Sequence, residues 1–126
     1  MLKKSLINKT DKIFVAGHNG MVGKSVIRKL KENFYTNVLI ENKDKLNLLN
    51  SEFVDKWFLK NKPDVVIIAA AKVGGISANN AFPVEFLLDN LKIQNNLIEA
   101  SWKTGVKRML FLGSSCIYPK LSLIHI

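Results

Sequence analysis

The chain has 126 residues, and 19 Lys and Arg against 10 Asp and Glu give it a formal net charge of +9. The length is typical of one domain, and an apolar content of 48% excludes an extended disordered chain. A single cysteine, Cys116, excludes a disulfide framework, and the sequence has no Cys and His spacing typical of a zinc site.

The positive charge does not indicate a nucleic-acid-binding protein. Only Arg28 and Arg108 are arginine, the residue that most often reads bases, and no nucleic-acid-binding motif is present. No apolar stretch approaches the roughly 18 residues of a transmembrane helix, and the N-terminus lacks the apolar core of a signal peptide. We therefore expect a cytoplasmic protein that binds neither nucleic acid nor membrane.

Short apolar runs alternate with amphipathic segments along the chain after a polar start at residues 1–11. The patterns predict strands at residues 12–17, 38–40, 64–71 and 108–113, and helices at residues 21–34, 51–61 and 83–104. The inner face of the first helix is expected to hold Met21, Val22, Val26, Ile27 and Leu30. Such alternation is typical of an α/β domain with a doubly wound parallel sheet.

The ends of the later helices carry recognisable signals. Ser51 is expected to cap the second helix, whose inner face would be Phe53, Val54, Trp57 and Phe58. Gly105 is expected to end the third helix, because glycine adopts the left-handed conformation that follows many helices.

A glycine loop lies between the first predicted strand and the first predicted helix. Gly17, Gly20 and Gly23 have the spacing G-x-x-G-x-x-G, which suits a tight turn, a close approach of backbone to a pyrophosphate, and packing of helix on strand. The N-terminus of the helix would attract the phosphates. This context predicts a Rossmann-type NAD(P)-binding domain with the cofactor on Gly17, His18, Asn19, Gly20, Met21, Val22 and Gly23. His18 is expected to contribute only its backbone.

Two charged residues at the end of the second predicted strand bear on the choice of cofactor. Glu41 could accept hydrogen bonds from the ribose hydroxyls of NAD, whereas Lys43 could meet the 2′-phosphate of NADP. Both could equally be ordinary surface charges, so these residues leave NAD and NADP open.

Several segments together carry a family resemblance. They are GHNGMVG at 17–23, LNLL at 46–49, AAAKVGGI at 69–76 with Asn79-Asn80, and LGSSCIYPK at 112–120. Over residues 12–120 the chain closely resembles the GDP-L-fucose synthases, which are extended short-chain dehydrogenases/reductases. The resemblance implies an NADP-dependent enzyme that epimerises GDP-4-keto-6-deoxy-mannose at C3 and C5 and then reduces C4.

The chain departs from the family at two positions that bear on the cofactor. Asn19 stands where the family usually has arginine, and Glu41 stands where it often has another basic residue. In the family these positions contact the 2′-phosphate, so the departures weaken the NADP assignment and leave Lys43 as a substitute. NADP is still expected first, with NAD as the alternative.

The resemblance also implies roles for residues near the ends of the third and fourth strands. Ser114 would hydrogen-bond the reacting carbonyl, and Cys116 would act as an acid/base in the epimerisation. Further cofactor contacts would come from Ala69, Ala70, Ala71, Leu112, Gly113, Ser114 and Ser115, and substrate contacts from Val73, Gly74 and Gly75. Without the family, the three alanines would be core residues and a lone cysteine would be a small buried hydrophobe.

The family's Tyr-x-x-x-Lys pair has no counterpart after Lys120. We therefore expect residues 12–120 to be the N-terminal part of the NAD(P)-binding domain of an enzyme that dimerises, and the chain alone to be inactive. Residues 121–126, LSLIHI, match the translation of a common sequencing-adapter end and are expected to be read-through. The alternatives are another extended short-chain nucleotide-sugar epimerase or dehydratase, and a non-catalytic NAD(P)-binding module.

Overall fold

The computed structural model describes residues 5–114, in which strands and helices alternate as the sequence predicts. The elements are β1 (Ile13–Ala16), α1 (Met21–Glu32), β2 (Val38–Leu39), α2 (Ser51–Asn61), β3 (Val65–Ile68), α3 (Ile76–Ala81), α4 (Pro83–Lys103) and β4 (Arg108–Phe111). None of these helices combines the length and the hydropathy needed to cross a membrane.

The strands form one parallel sheet in the order β2-β1-β3-β4. Ile13 pairs with Val38 on one side and with Val65 on the other, and Val65 pairs in turn with Arg108. The two central strands, β1 and β3, are buried along their whole length, and β4 lies at an edge. This arrangement explains why β1 and β3 are continuous apolar runs without polar alternation.

Alternate residues of the central strands feed two separate cores. Phe14, Ala16, Val66 and Ile68 pack with residues of α2 and α4 on one face of the sheet. Ile13, Val15, Val65 and Ile67 pack with residues of α1 on the other face. Helices therefore cover both faces, and the predicted doubly wound parallel α/β fold is confirmed.

The start of α2 differs from the prediction. The cap is Asn50, whose side chain accepts a hydrogen bond from the backbone N–H of Phe53, and Ser51 is already helical. Val54 and Phe58 are fully buried and Trp57 is half-buried, as expected, but Phe53 is 51% exposed. Phe53 was wrongly predicted as an inner residue because the buried stripe of this helix is centred on the Val54 and Phe58 positions, one turn apart.

The end of α4 follows the predicted mechanism. Gly105 has φ +73°, its N–H bonds to the carbonyl of Trp102, and the N–H of Val106 bonds to the carbonyl of Ser101. These two bonds form a Schellman motif, with Thr104 as the cap residue and Gly105 just beyond it. Val106 packs against the core that α4 helps to build, which fixes the entry of the chain into β4.

The third and fourth strands are shorter than predicted. β3 ends at Ile68 and β4 at Phe111, so the alanines 69–71 and residues 112–113 lie in the connections beyond the sheet. The helix α3 was not predicted from the sequence. Its residues are largely exposed and show no apolar pattern, and the glycines before it and Pro83 after it are typical of a loop.

Candidate functional site

Several of the predicted site residues lie at the carboxyl edge of the sheet. Gly17 follows β1, Ala69 follows β3, and Leu112 follows β4, in neighbouring strands. The N–H of Ala69 bonds to the carbonyl of Ala16 at 2.9 Å, and the N–H of Leu112 bonds to the carbonyl of Ile68 at 3.2 Å. In open parallel α/β sheets this edge is where ligands bind.

Two glycines of the loop are required by the packing of the protein itself. Gly17 has φ +88°, and a Cβ there would lie 2.6 Å from the backbone of Ala69 and Ala70. A Cβ on Gly23 would lie 2.1 Å from the carbonyl oxygen of Gly17. The first and third glycines therefore let α1 and the loop pack against the ends of β1 and β3.

The middle glycine has a different environment. Gly20 is the N-cap of α1 and has extended backbone, and a Cβ there would come no nearer than 3.5 Å to the carbonyl oxygen of Gly17. The protein therefore leaves room for a side chain at Gly20, which is exposed to solvent. This is the geometry expected of a glycine that lets a ligand approach the main chain.

The first turn of α1 is open to solvent. No side chain caps it and it holds no acidic residue, so its first N–H groups have no intrahelical partner. Met21 is 84% exposed and Val22 is 46% exposed, which corrects the prediction that both lie on the inner face of the helix. An uncapped helix start without negative charge favours an anion such as a pyrophosphate.

The segment after β2 approaches the glycine loop through Asn42. The side-chain oxygen of Asn42 lies 3.2 Å from Nε2 of His18, so His18 contributes its side chain as well as its backbone to this part of the structure. The backbone carbonyl of Asn42 accepts bonds from Lys45 and Leu46, which close a turn that carries the exposed Lys43.

Glu41 forms its side-chain contact with the helix α2. Its Oε2 accepts a hydrogen bond from Nε1 of Trp57 at 3.3 Å, and its Oε1 accepts one from the backbone N–H of Asn42 at 3.3 Å. Trp57 belongs to α2, which packs on the face of the sheet opposite α1. The Glu41 carboxylate is therefore engaged on the α2 side.

The connection after β3 is held in place by α3 and α4. Asn90 in α4 accepts a bond from the backbone N–H of Lys72 at 2.7 Å and donates one to its carbonyl at 3.0 Å. The Lys72 ammonium pairs with Asp89 at 2.8 Å. Asn79 in α3 donates to the carbonyls of Gly74 and Gly75 at 3.0 and 3.1 Å.

Gly74 is also restricted, because a Cβ there would lie 2.8 Å from the ring of Phe86. Val73, Gly74 and Gly75 are exposed, so a ligand can reach them beside the hydrogen bonds that Asn79 and Asn90 make. Asn90 was not predicted as a site residue. A signal was present, since asparagine is a poor helix former and its place inside a long helix suggests a specific hydrogen bond.

Ser114 lies three residues beyond β4, exposed at the same edge of the sheet as the glycine loop. Ser115 and Cys116 lie outside the residues that the structure describes. Between residues 5 and 114, no cluster of His, Cys, Asp and Glu could hold a metal ion.

Comparison with known proteins reveals close relatives among nucleotide-sugar enzymes. The chain is 50% identical over 118 residues to GDP-L-fucose synthase 1 of Arabidopsis thaliana, a match that covers 94% of this chain and 36% of that protein. The chain thus spans about a third of the length of the curated relatives that it matches.

Solved structures show the same fold. A GDP-mannoheptose C4 reductase from Campylobacter jejuni with NADP bound matches with a TM-score of 0.86 and 34% identity, over 90% of this chain and 36% of that one. A GDP-L-fucose synthetase from Naegleria fowleri bound to NADP matches with a TM-score of 0.77 and 30% identity, over 90% and 34% of the two chains.

A family model described as the NAD dependent epimerase/dehydratase family matches residues 13–125, which include every element of the sheet and the glycine loop. Membership of this family agrees with the parallel sheet and the uncapped start of α1. It also agrees with the glycine loop, in which packing requires Gly17 and Gly23 and leaves space at Gly20. The chain belongs to the NAD dependent epimerase/dehydratase family.

Proposed function

We propose that this chain forms the cofactor-binding part of an NADP-dependent GDP-L-fucose synthase. Such an enzyme converts GDP-4-keto-6-deoxy-mannose to GDP-L-fucose by epimerisation at C3 and C5 and reduction at C4. The observation that carries the cofactor assignment is the open backbone at Gly20 in front of an uncapped helix. The substrate assignment rests on the 50% identity to the Arabidopsis GDP-L-fucose synthase 1.

The residues of the glycine loop fit a dinucleotide. The backbone of His18, Asn19 and Gly20 and the start of α1 at Met21 and Val22 would hold the pyrophosphate, because their N–H groups and the helix dipole favour negative charge. Gly17 and Gly23 would keep this loop close to the sheet. The bound NADPH would supply the hydride for the reduction at C4.

Small residues at the neighbouring strand ends would leave space for the rest of the cofactor. Ala69, Ala70 and Ala71 follow β3, and Gly113 follows β4. Leu112 and Ser115 would contact the cofactor through their backbone. The turn that carries Asn42 and Lys43 would lie at the adenosine ribose, and the positive charge of Lys43 favours NADP over NAD.

Ser114 and Cys116 would act on the sugar. Ser114 would donate a hydrogen bond to the C4 oxygen, which gains negative charge as the carbonyl is reduced. The thiolate of Cys116 would take a proton from the carbon next to the ketone, leaving an enolate. A second acid, supplied by the rest of the enzyme, would return a proton on the other face. Asn79 and Asn90 would hold Val73, Gly74 and Gly75 beside the substrate.

The proposed enzyme is a cytoplasmic homodimer. Helix α4 carries exposed apolar side chains along its length, including Leu87, Leu88, Leu91 and Trp102. An exposed apolar stripe of this kind is typical of a surface that another subunit covers.

The test is an assay of the native protein that contains this chain. With GDP-4-keto-6-deoxy-mannose and NADPH, we expect GDP-L-fucose as the product, identified by NMR, and a slower reaction with NADH. In D₂O, deuterium should enter at C3 and C5, and Cys116→Ser should reduce this incorporation more than it reduces hydride transfer to pre-epimerised substrate. Cofactor binding without turnover would instead identify a binding module, and turnover of a different nucleotide sugar would identify another epimerase or dehydratase.

A further inference from the structure

The position of the Glu41 carboxylate bears directly on cofactor choice. An acidic residue after the second strand of such a domain selects NAD, because it accepts bonds from the ribose hydroxyls and repels a 2′-phosphate. Glu41 occupies this place in the chain, yet both of its oxygens already accept hydrogen bonds, one from Trp57 and one from the backbone of Asn42. The bond to Trp57 therefore directs the carboxylate toward α2.

Trp57 is itself firmly held. Its ring centroid lies 4.3 Å from that of Phe14 and 5.5 Å from that of Phe58, within the core on the α2 face of the sheet. Its backbone carbonyl accepts a bond from the side chain of Asn61 at 2.9 Å. The indole N–H is thus preorganised toward Glu41, and the bond costs little additional ordering of the ring.

Asn42 shows the opposite orientation. Its side chain contacts His18 of the glycine loop at 3.2 Å, while its carbonyl closes the turn that carries Lys43. The Asn42 amide therefore lies against the glycine loop, with the exposed Lys43 next to it in the chain, while the carboxylate of Glu41 bonds to Trp57 of α2.

We propose that Trp57 sets the preference for NADP by holding the Glu41 carboxylate away from the adenosine ribose, so that Asn42 and Lys43 meet the 2′-phosphate. This inference rests on the proposed cofactor-binding function. Trp57 is a positioning residue, since it acts through Glu41 and does not itself touch the cofactor. It explains how a chain with an acidic residue at this position can bind NADP.

The experiment measures the Kd of NADP⁺ and of NAD⁺ by isothermal titration calorimetry, in the native protein that contains this chain. Trp57→Phe keeps an aromatic ring against Phe14 but removes the N–H donor. We expect the ratio of Kd for NADP⁺ to Kd for NAD⁺ to rise about fivefold, the size of one lost hydrogen bond. If Trp57 has a purely structural role, Trp57→Phe should weaken the binding of both cofactors equally and leave the ratio of the two Kd values unchanged. That result would overturn the proposal.

A double-mutant cycle with Glu41→Leu tests the route of the effect. In the Glu41→Leu background, Trp57→Phe should no longer change the ratio, because no carboxylate remains to be released. A shift of the ratio that persists in this background would contradict the proposal.

A further measurement covers the case in which Trp57→Phe does not fold. Glu41→Leu alone should change the Kd of NAD⁺ by less than threefold, because the carboxylate makes no bond to the ribose in the wild-type protein. A larger loss of NAD⁺ affinity would show that Glu41 binds the ribose directly and would overturn the proposal. If the wild-type protein binds neither cofactor, the proposed function itself fails, which is a separate outcome.

Discussion

At the scale of single residues, Gly17 and Gly23 are required by packing, whereas Gly20 has room for a side chain, as expected of a glycine that a ligand approaches. Gly20→Asn places a side chain where the backbone is open, and asparagine is a good N-cap residue. We expect the free energy of unfolding to change by less than about 0.5 kcal/mol. The amide would compete with a pyrophosphate for the N–H groups at the start of α1, so NADP⁺ affinity should fall at least about tenfold, as measured by calorimetry.

Gly23→Ala is the matched control in the same loop. Its Cβ would lie 2.1 Å from the carbonyl oxygen of Gly17, so the backbone must shift. We expect this variant to lose roughly 1–3 kcal/mol of stability in urea unfolding, the usual range for overpacking. If Gly20→Asn destabilises the fold as much as Gly23→Ala does, the two glycines have the same structural role and the distinction is wrong.

At the scale of elements, the end of α4 sets the start of β4 through the Schellman motif. Gly105→Ala should cost about 1–2 kcal/mol in the free energy of unfolding, because an L-residue is disfavoured at φ +73°. Clashes with more distant residues do not contribute, since a Cβ at Gly105 would meet no atom within 4 Å beyond its own chain neighbours.

Gly113→Ala is the control that distinguishes the effect of backbone conformation from the effect of an added methyl group. A Cβ at Gly113 also meets no atom within 4 Å, but Gly113 does not have a positive φ. Its substitution should change stability by less than about 0.5 kcal/mol. Equal effects of the two alanines in urea unfolding would show that the left-handed conformation of Gly105 is not what stabilises this end of the helix.

At the scale of the whole molecule, an ionic cluster joins distant segments at the amino edge of the sheet. Lys107, just before β4, lies 3.2 Å from Asp64 and 3.4 Å from the buried Asp11. Asp64 also accepts a bond from the backbone N–H of Lys12 at 2.9 Å. This cluster connects the polar N-terminal segment and the starts of β1, β3 and β4.

The cluster predicts a dependence of stability on pH. The hydrogen bond from the Lys12 backbone, with a further contribution from Lys107, holds the pKa of Asp64 below its ordinary value of 3.8. A carboxylate with a lowered pKa stabilises the fold above the unfolded-state pKa and loses that contribution as the pH falls through the folded-state pKa. Wild-type stability should therefore fall as the pH drops below about 4.

Asp64→Asn tests this dependence. The variant should be less stable than the wild type at pH 7 and should lose less stability between pH 5 and pH 3, as measured by urea unfolding. Glu52→Gln is the comparison: the hydrogen bond from Lys56 also lowers the pKa of Glu52, but this ion pair is exposed to solvent, so its removal should change the acid-induced loss less than Asp64→Asn does. If Asp64→Asn and the wild type show parallel acid-induced losses, Asp64 is not the group responsible.

The edge of the sheet predicts the behaviour of the chain in isolation. All four residues of β4 are exposed, including Met109, Leu110 and Phe111, and β4 is an edge strand of the described sheet. Exposed apolar edge strands pair with other chains. We expect the isolated 126-residue chain to associate with increasing concentration in light scattering. A chain that stays monomeric up to high concentration would contradict this prediction.

Much of the fold could be predicted because its signals are local. The apolar runs of β1 and β3, the glycine loop and the Pro83 and Gly105 limits of α4 each lie within a few consecutive residues. The Asn50 cap was not predicted, because the neighbouring Ser51 is an equally good cap residue and only the packing selects between them. The short helix α3 was not predicted, because it buries no residue and so shows no apolar pattern. The same difference holds for the candidate site. The glycine loop could be predicted from the sequence, but the hydrogen bonds that hold the neighbouring segments could not.

The sequence by itself determined the doubly wound parallel sheet, the glycine loop and the helix that follows it, because hydrophobic periodicity and backbone preference act over one or two turns. Only the tertiary structure decided that Glu41 bonds to Trp57, that Asn90 clamps Lys72 and that Lys107 joins Asp11. These partners are 16, 18 and 96 residues apart. No local pattern specifies such pairs, since each depends on how two separate elements dock on the sheet.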